Sequence, residues 1–129
     1  MTLGLSVGQL LVLHSALRSG SGGRAGLRDR GALEAAAARP FATFDAEDLY
    51  PDVPAKAAAL LHSLVSNHPF VDGNKRTGAL AAELLLDVNG VDLVASDDDF
   101  EKVVMSVASG TLGIEQLVIW FRQRSRYRA

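Results

Sequence analysis

His68-Pro69-Phe70-Val71-Asp72-Gly73-Asn74-Lys75-Arg76-Thr77-Gly78, followed by Ala79-Leu80-Ala81-Ala82-Glu83-Leu84-Leu85-Leu86, is the stretch on which the fold turns. Gly73 lets the backbone turn tightly, and the alanine and leucine run after it predicts a helix. That helix starts near Asn74 and stops at Asn89-Gly90. Apolar residues surround most of its circumference, so it is expected to be the central, buried element.

Working outward, Asp52 can cap the preceding helix, with Pro54 in its first turn and Ala57, Leu60, Leu61, Leu64 and Val65 on its buried face. It ends near Asn67. Downstream, Ser96 and Asp99 resemble a capping box ahead of Phe100, Val103, Val104, Val107 and Ala108. Thr111 starts a last helix that buries Ile114, Leu117, Val118 and Phe121, with Arg122, Arg124, Arg126 and Arg128 toward its end, where a cation suits the dipole. At the N-terminal end, Ser6 caps a helix whose inward face carries Val7, Leu10, Leu11, His14 and Leu17. Ser19-Gly20-Ser21-Gly22-Gly23 predicts a loop after it. Asp29 caps a short alanine-rich helix that closes at Arg39-Pro40. Residues 41–46 alternate like a strand and form an expected flap. The expected fold is all-α: a bundle of about six helices with a short β-hairpin-like flap, one domain over residues 1–129.

The chain has 129 residues, 48% of them hydrophobic and 22% charged, an ordinary globular balance. A net charge of −2 argues against a surface built to neutralise nucleic-acid backbones, and the C-terminal arginines alone do not reverse that. With no cysteine, disulfides and thiolate metal sites are excluded, which suits a reducing compartment. Neither a signal peptide nor a membrane span is expected, since the first segment lacks a basic start and Gln9 and His14 interrupt its apolar run. A soluble cytoplasmic protein is the expectation.

The chemistry is concentrated in residues 68–76. Free N–H groups at the start of the helix after Gly73 form an anion site, and Lys75 and Arg76 add two cations to it. A purely structural helix start would favour acidic side chains there. Asp72 can hold a divalent ion such as Mg²⁺, which takes one or two protein carboxylates plus substrate phosphates. His68 is the nearby group whose unperturbed pKa suits proton abstraction near neutrality. The spacing is not a Walker A loop, and neither H-E-x-x-H nor a cysteine pair is present.

The run HPFVDGNKRTG resembles the Fic/Doc signature H-x-F-x-[DE]-G-N-x-R, with the lysine before arginine that marks the Doc branch. LRDRGALEAAAARP, AEDLYPDVPAKAAALLHSLVSNHPF and LLLDVNGVDL resemble the same branch. The resemblance implies that His68 deprotonates a target hydroxyl and Asp72 positions Mg²⁺. Gly73, Asn74 and Arg76 would bind nucleotide phosphates, and Phe70 would anchor the loop. Where AMP-transferring members have a second glycine this chain has Lys75, which would crowd or occupy the inner anion site; where they have a second arginine it has Ala79. Both departures imply the Doc reaction, in which ATP binds reversed and its γ-phosphate is transferred, with AMP transfer as the alternative. The flap, with Thr43, Phe44 and Asp45, is by resemblance where a protein substrate docks as an added strand. That substrate is by resemblance a translation factor such as elongation factor Tu. Autoinhibited members carry [ST]-x-x-x-E-[GN]; the nearest runs here, from Thr43 and from Thr111, lack the final Gly or Asn. The resemblance therefore implies a toxin held by a separate antitoxin. A non-catalytic interaction module is the rival class, against which the intact motif stands.

Overall fold

Local capping chemistry starts most of the helices. Gln9 N–H donates to Ser6 Oγ at 3.1 Å and Ser6 N–H donates to Gln9 Oε1 at 2.8 Å, a reciprocal box that opens α1 (Val7–Ser21). Asp29 Oδ1 accepts from Ala32 N at 3.0 Å to open α2 (Arg30–Ala38), and Asp52 Oδ1 accepts from Ala55 N at 2.8 Å to open α3 (Val53–Asn67). Ser96 Oγ accepts from Asp99 N at 3.1 Å at the start of α5 (Asp97–Ala108). The helix after the motif loop, α4 (Asn74–Val88), begins differently: Gly73 takes its cap position at φ 80°, and no side chain caps it. The last helix, α6, spans Ile114–Arg124. The computed structural model describes residues 1–21 and 26–129.

The central helix is α3, not α4 as its composition suggests. α3 packs against α2, α4, α5, α6 and the 3-10 turn Arg39–Phe41, and it buries residues all round, from Pro54 to Val65. α4 buries a single face, with Thr77, Gly78, Ala81, Ala82, Leu85 and Leu86 inward. Its charged side chains explain the difference, because Lys75, Arg76 and Asp87 cannot be enclosed without partners and keep the opposite face in solvent. Gly78 lets the two helices approach closely: a Cβ there would lie 2.8 Å from Val65 Cγ2. Leu60, Leu61, Leu64, Leu85, Leu86, Leu117 and Phe121 fill the core that results.

Three boundaries differ from expectation. α1 continues through Ser19 and Gly20 to Ser21, so the expected loop begins later; its remaining members, Gly22 and Gly23, lie outside the described residues. α6 starts at Ile114 because Thr111 is spent on the preceding helix, its hydroxyl donating to the Ser106 carbonyl at 3.2 Å. α6 also ends before Arg126 and Arg128, so the helix dipole accounts only for Arg122 and Arg124. Ser125–Tyr127 instead forms a strand, β4, antiparallel to β3 (Val91–Leu93), with Asp92 opposite Arg126. Arg128 then bonds Asp87 Oδ1 at 2.9 Å, Asp92 Oδ1 at 2.6 Å and the Asp87 carbonyl at 2.7 Å, placing a cation at the C-terminus of α4.

The expected flap is present, as a tighter hairpin. β1 (Thr43–Phe44) pairs with β2 (Glu47–Asp48), and Phe41 belongs to the 3-10 turn rather than to the strand. Asp45 and Ala46 turn the chain at φ 52° and φ 64°, the pair of positive values that a two-residue hairpin requires. Among the described residues, no helix is long and apolar enough to cross a membrane.

Candidate active site

The motif loop is anchored at Phe70. Asn74, in the first turn of α4, holds both polar atoms of the Phe70 backbone: Oδ1 accepts from its N–H at 3.0 Å and Nδ2 donates to its carbonyl at 2.9 Å. The Phe70 ring is buried, as its anchoring role requires, and the His14 ring from α1 stacks on it with centroids 3.8 Å apart. His14 is only 6% exposed, and its Nε2–H donates to the Asp72 carbonyl at 2.8 Å. One buried imidazole therefore fixes both sides of the turn that leads into α4.

The segment before α2 clasps the other edge of the loop. Leu27 forms an isolated antiparallel bridge with Phe70, and Val71 N–H donates to the Gly26 carbonyl at 3.1 Å. The Pro69 carbonyl accepts from Arg28 N at 2.7 Å and Asp29 N at 3.0 Å. The Arg28 side chain reaches further, with Nε on the His68 carbonyl at 2.5 Å and Nη2 on the Asn67 carbonyl at 2.7 Å.

His68 sits at the C-cap of α3 in the left-handed region, φ 47° and ψ 61°, with its side chain exposed. Asp72 is exposed too, and its Oδ1 accepts from Gly73 N at 2.8 Å. Gly73 supplies the left-handed turn, and a Cβ there would stand 3.6 Å from the His14 ring. Lys75 and Arg76 are exposed in the first turn of α4, which holds no acidic residue. Because the Asn74 amide is taken up by Phe70, what this residue offers an anion is its main-chain N–H. An uncapped helix start with two adjacent cations can bind a polyphosphate. One exposed carboxylate at its edge fits Mg²⁺ shared with phosphate oxygens and water. Among the described residues no cluster of three or more acidic or histidine groups offers an all-protein cage instead.

The flap is anchored at the far end of α3 from this loop. Its base is tied to the N-terminal end of α3 by Lys56, 3% exposed, which donates to the carbonyls of Tyr50 at 2.5 Å and Pro40 at 3.3 Å and lies 3.6 Å from Asp48. His68 caps the opposite end, so ~18 Å of helix separates Lys56 from it at 1.5 Å rise per residue. Thr43, Phe44 and Asp45 are exposed, with Phe44 at 70%.

Sequence reasoning assigned no site role to His14 or Arg28. A histidine on an otherwise apolar inward face was the available signal for the first. Nothing local marks the second, since its partners lie about forty residues away along the chain.

The model of the Fic/DOC family matches residues 4–86, which spans α1, the flap, α3 and the motif. The chain is similar to Toxin Doc of Mycolicibacterium smegmatis, 54% identical over 77 residues, covering 60% of this chain and 59% of that protein. It is also similar to Protein kinase doc of Escherichia phage P1, 30% identical over 119 residues, covering 92% of this chain and 93% of the relative. A Fido domain-containing protein of Dictyostelium discoideum is 46% identical over 52 residues, 37% of this chain and 36% of that protein. With its motif loop clasped by α1 and the segment before α2, and with its family model matched over well more than half of its length, the chain belongs to the Fic/Doc family.

Proposed function

We propose that residues 1–129 form one catalytic domain, acting in the cytoplasm, that transfers the γ-phosphoryl group of ATP to a hydroxyl of a protein substrate. The observation that carries this reading is the uncapped start of α4, flanked by the Asp72 carboxylate, the cations Lys75 and Arg76, and the exposed ring of His68. His68 takes the proton of the attacking hydroxyl as its oxygen bonds to the γ-phosphorus. The bond from that phosphorus to the bridging oxygen breaks, and ADP leaves with the electron pair. Main-chain N–H groups at residues 74–76 and the Arg76 guanidinium hold the phosphates in line. Mg²⁺ bound at Asp72 would offset charge on the nucleotide oxygens.

Members of the Fic/Doc family are protein-modifying transferases, and the relative from phage P1 is named as a protein kinase. Lys75 and Ala79 favour phosphoryl over AMP transfer, because neither supplies a second open phosphate subsite. The likeness to Toxin Doc supports a toxin restrained by a separate antitoxin. The substrate reading is a translation factor such as elongation factor Tu, docked on the flap as an added strand. At ~3.3 Å per residue, five or six residues of such a peptide would span from the flap base to His68.

The test is to incubate the purified protein with cell extract, Mg²⁺ and ATP and to identify modified proteins by mass. A gain of about 80 Da on a protein, absent with His68→Ala, is the expected result, and a gain of about 329 Da would mean AMP transfer instead. No transfer by the parent would remove the enzymatic reading and leave the interaction module.

A further inference from the structure

We propose that Arg28 is a positioning residue for His68, setting the backbone from which the imidazole reaches the target hydroxyl. The inference rests on the reading of His68 as the base. The last carbonyls of any helix lack intrahelical donors, and a helix that ends in the left-handed region normally does so at glycine. α3 ends there at His68, a residue with a Cβ, at φ 47° and ψ 61°. Such a conformation persists only where surrounding groups over-determine it.

Arg28 supplies that determination with one residue. Its Nε and Nη2 take the carbonyls of His68 and Asn67 at 2.5 and 2.7 Å, and its own N–H takes the carbonyl of Pro69 at 2.7 Å. Three consecutive carbonyls, centred on His68, are thus held by one fork and one peptide group. The planar guanidinium fixes the relative direction of two of them, which a single ammonium does not. It also puts a cation at the C-terminus of α3, where the dipole favours one. The phosphate cradle is held by other groups, Asn74 on Phe70 and His14 on Asp72. Arg28 therefore acts on one side of the loop, the side that carries the base.

The consequence is a split between turnover and nucleotide binding. Misplacing a catalytic group by about 1 Å can cost roughly 10²-fold, so Arg28→Ala is expected to lower kcat by about 10- to 100-fold. The KM for ATP should stay within about twofold, because a group that orients only the base contributes nothing to ground-state nucleotide binding. Arg28→Lys, which keeps the charge but loses the fork, should fall between parent and Arg28→Ala. Its role is to keep the test open should the alanine variant fail to fold. The His68 Cα and ring resonances, followed by NMR, should shift in both variants, while those of Asn74 remain in place.

Parent and variants are compared with His68→Ala for transfer from γ-labelled ATP to protein in cell extract. A parent whose activity survives His68→Ala, or which has none, defeats the assignment of the base and this inference with it. A His68-dependent parent whose folded Arg28 variants keep full kcat, or lose ATP affinity in place of kcat, overturns the role of Arg28 alone. Reduced kcat at constant KM with displaced His68 resonances supports it.

Discussion

The His14 imidazole lies flat on the Phe70 ring, planes 3° from parallel, while its Nε2–H bonds the Asp72 carbonyl on the far side of the same turn. Because a carbonyl can only accept, Nε2 must carry a proton. α1 thereby contributes directly to the shape of a loop more than fifty residues away.

Removing both contacts at once should be costly. Loss of a stacked pair, a hydrogen bond and buried volume predicts that His14→Ala destabilises the protein by about 2–4 kcal/mol. His14→Phe keeps the stack and gives up only the bond, for a loss of about 1 kcal/mol. Urea unfolding of the three proteins separates the two contributions. Equal losses in both variants would mean that the bond, not the stack, is what His14 contributes.

What the sequence made legible was whatever is local. Asp29, Asp52 and Ser96 cap helices through side chains three residues from the amides they serve, so spacing alone revealed them. The motif was equally legible, because a glycine turn, a carboxylate and two cations fall within a few residues. Arg28 and His14 were not, since each acts on the loop from a distant segment. The β3–β4 pair escaped for a related reason: three-residue strands carry too little alternation to detect, and Val91 meets Tyr127 only after α5 and α6 have folded back. The centrality of α3 over α4 likewise depends on how many neighbours surround each helix, which no count of apolar residues contains.

Ala46 should respond to glycine in the direction opposite to most hairpin residues. It sits at φ 64° with a Cβ that crowds the backbone there, at a cost of roughly 1 kcal/mol. Ala46→Gly relieves that crowding while adding freedom to the unfolded chain, so a net gain of up to about 0.5 kcal/mol is expected. Hydrogen exchange at Leu49, whose N–H donates to the Ala42 carbonyl at 3.0 Å at the base of the hairpin, should slow by a small factor. Faster exchange in the variant would show that the turn is not strained.

Acidification acts through His62. Burial and the positive charge of Arg39 lower its pKa from the ordinary 6.5. The unfolded chain therefore binds this proton before the folded one does, and folding stability should fall as pH drops below 6.5 toward the lowered folded value. Glu83 has the opposite sign: burial, then the neighbouring Asp97 charge, raise its pKa, so its ionisation works against the folded state as pH rises. Thermal unfolding across pH should be flatter below 6.5 in His62→Gln than in the parent. An identical profile in the two proteins would remove His62 from the account.

Lys75 tests the choice of transferred group. It is exposed at the second position of α4, next to the main-chain N–H groups that would receive phosphate. On the proposed reading its ammonium occupies the place where a further phosphate would otherwise settle against the helix start. Lys75→Gly would open that place and let ATP enter in the orientation that presents its α-phosphate to the hydroxyl. Glycine so near a helix start costs up to about 1 kcal/mol, which leaves the variant folded if the parent has ordinary stability. Ala79 still supplies no second guanidinium, so the gain should be incomplete: weak transfer of α-label to protein, with γ-label transfer reduced by about tenfold or more. Parent and variant are given ATP labelled at the α or the γ position, and label is followed onto protein. A parent that already transfers α-label, or a variant whose γ-label rate is unchanged, would show that Lys75 does not set the orientation of the nucleotide.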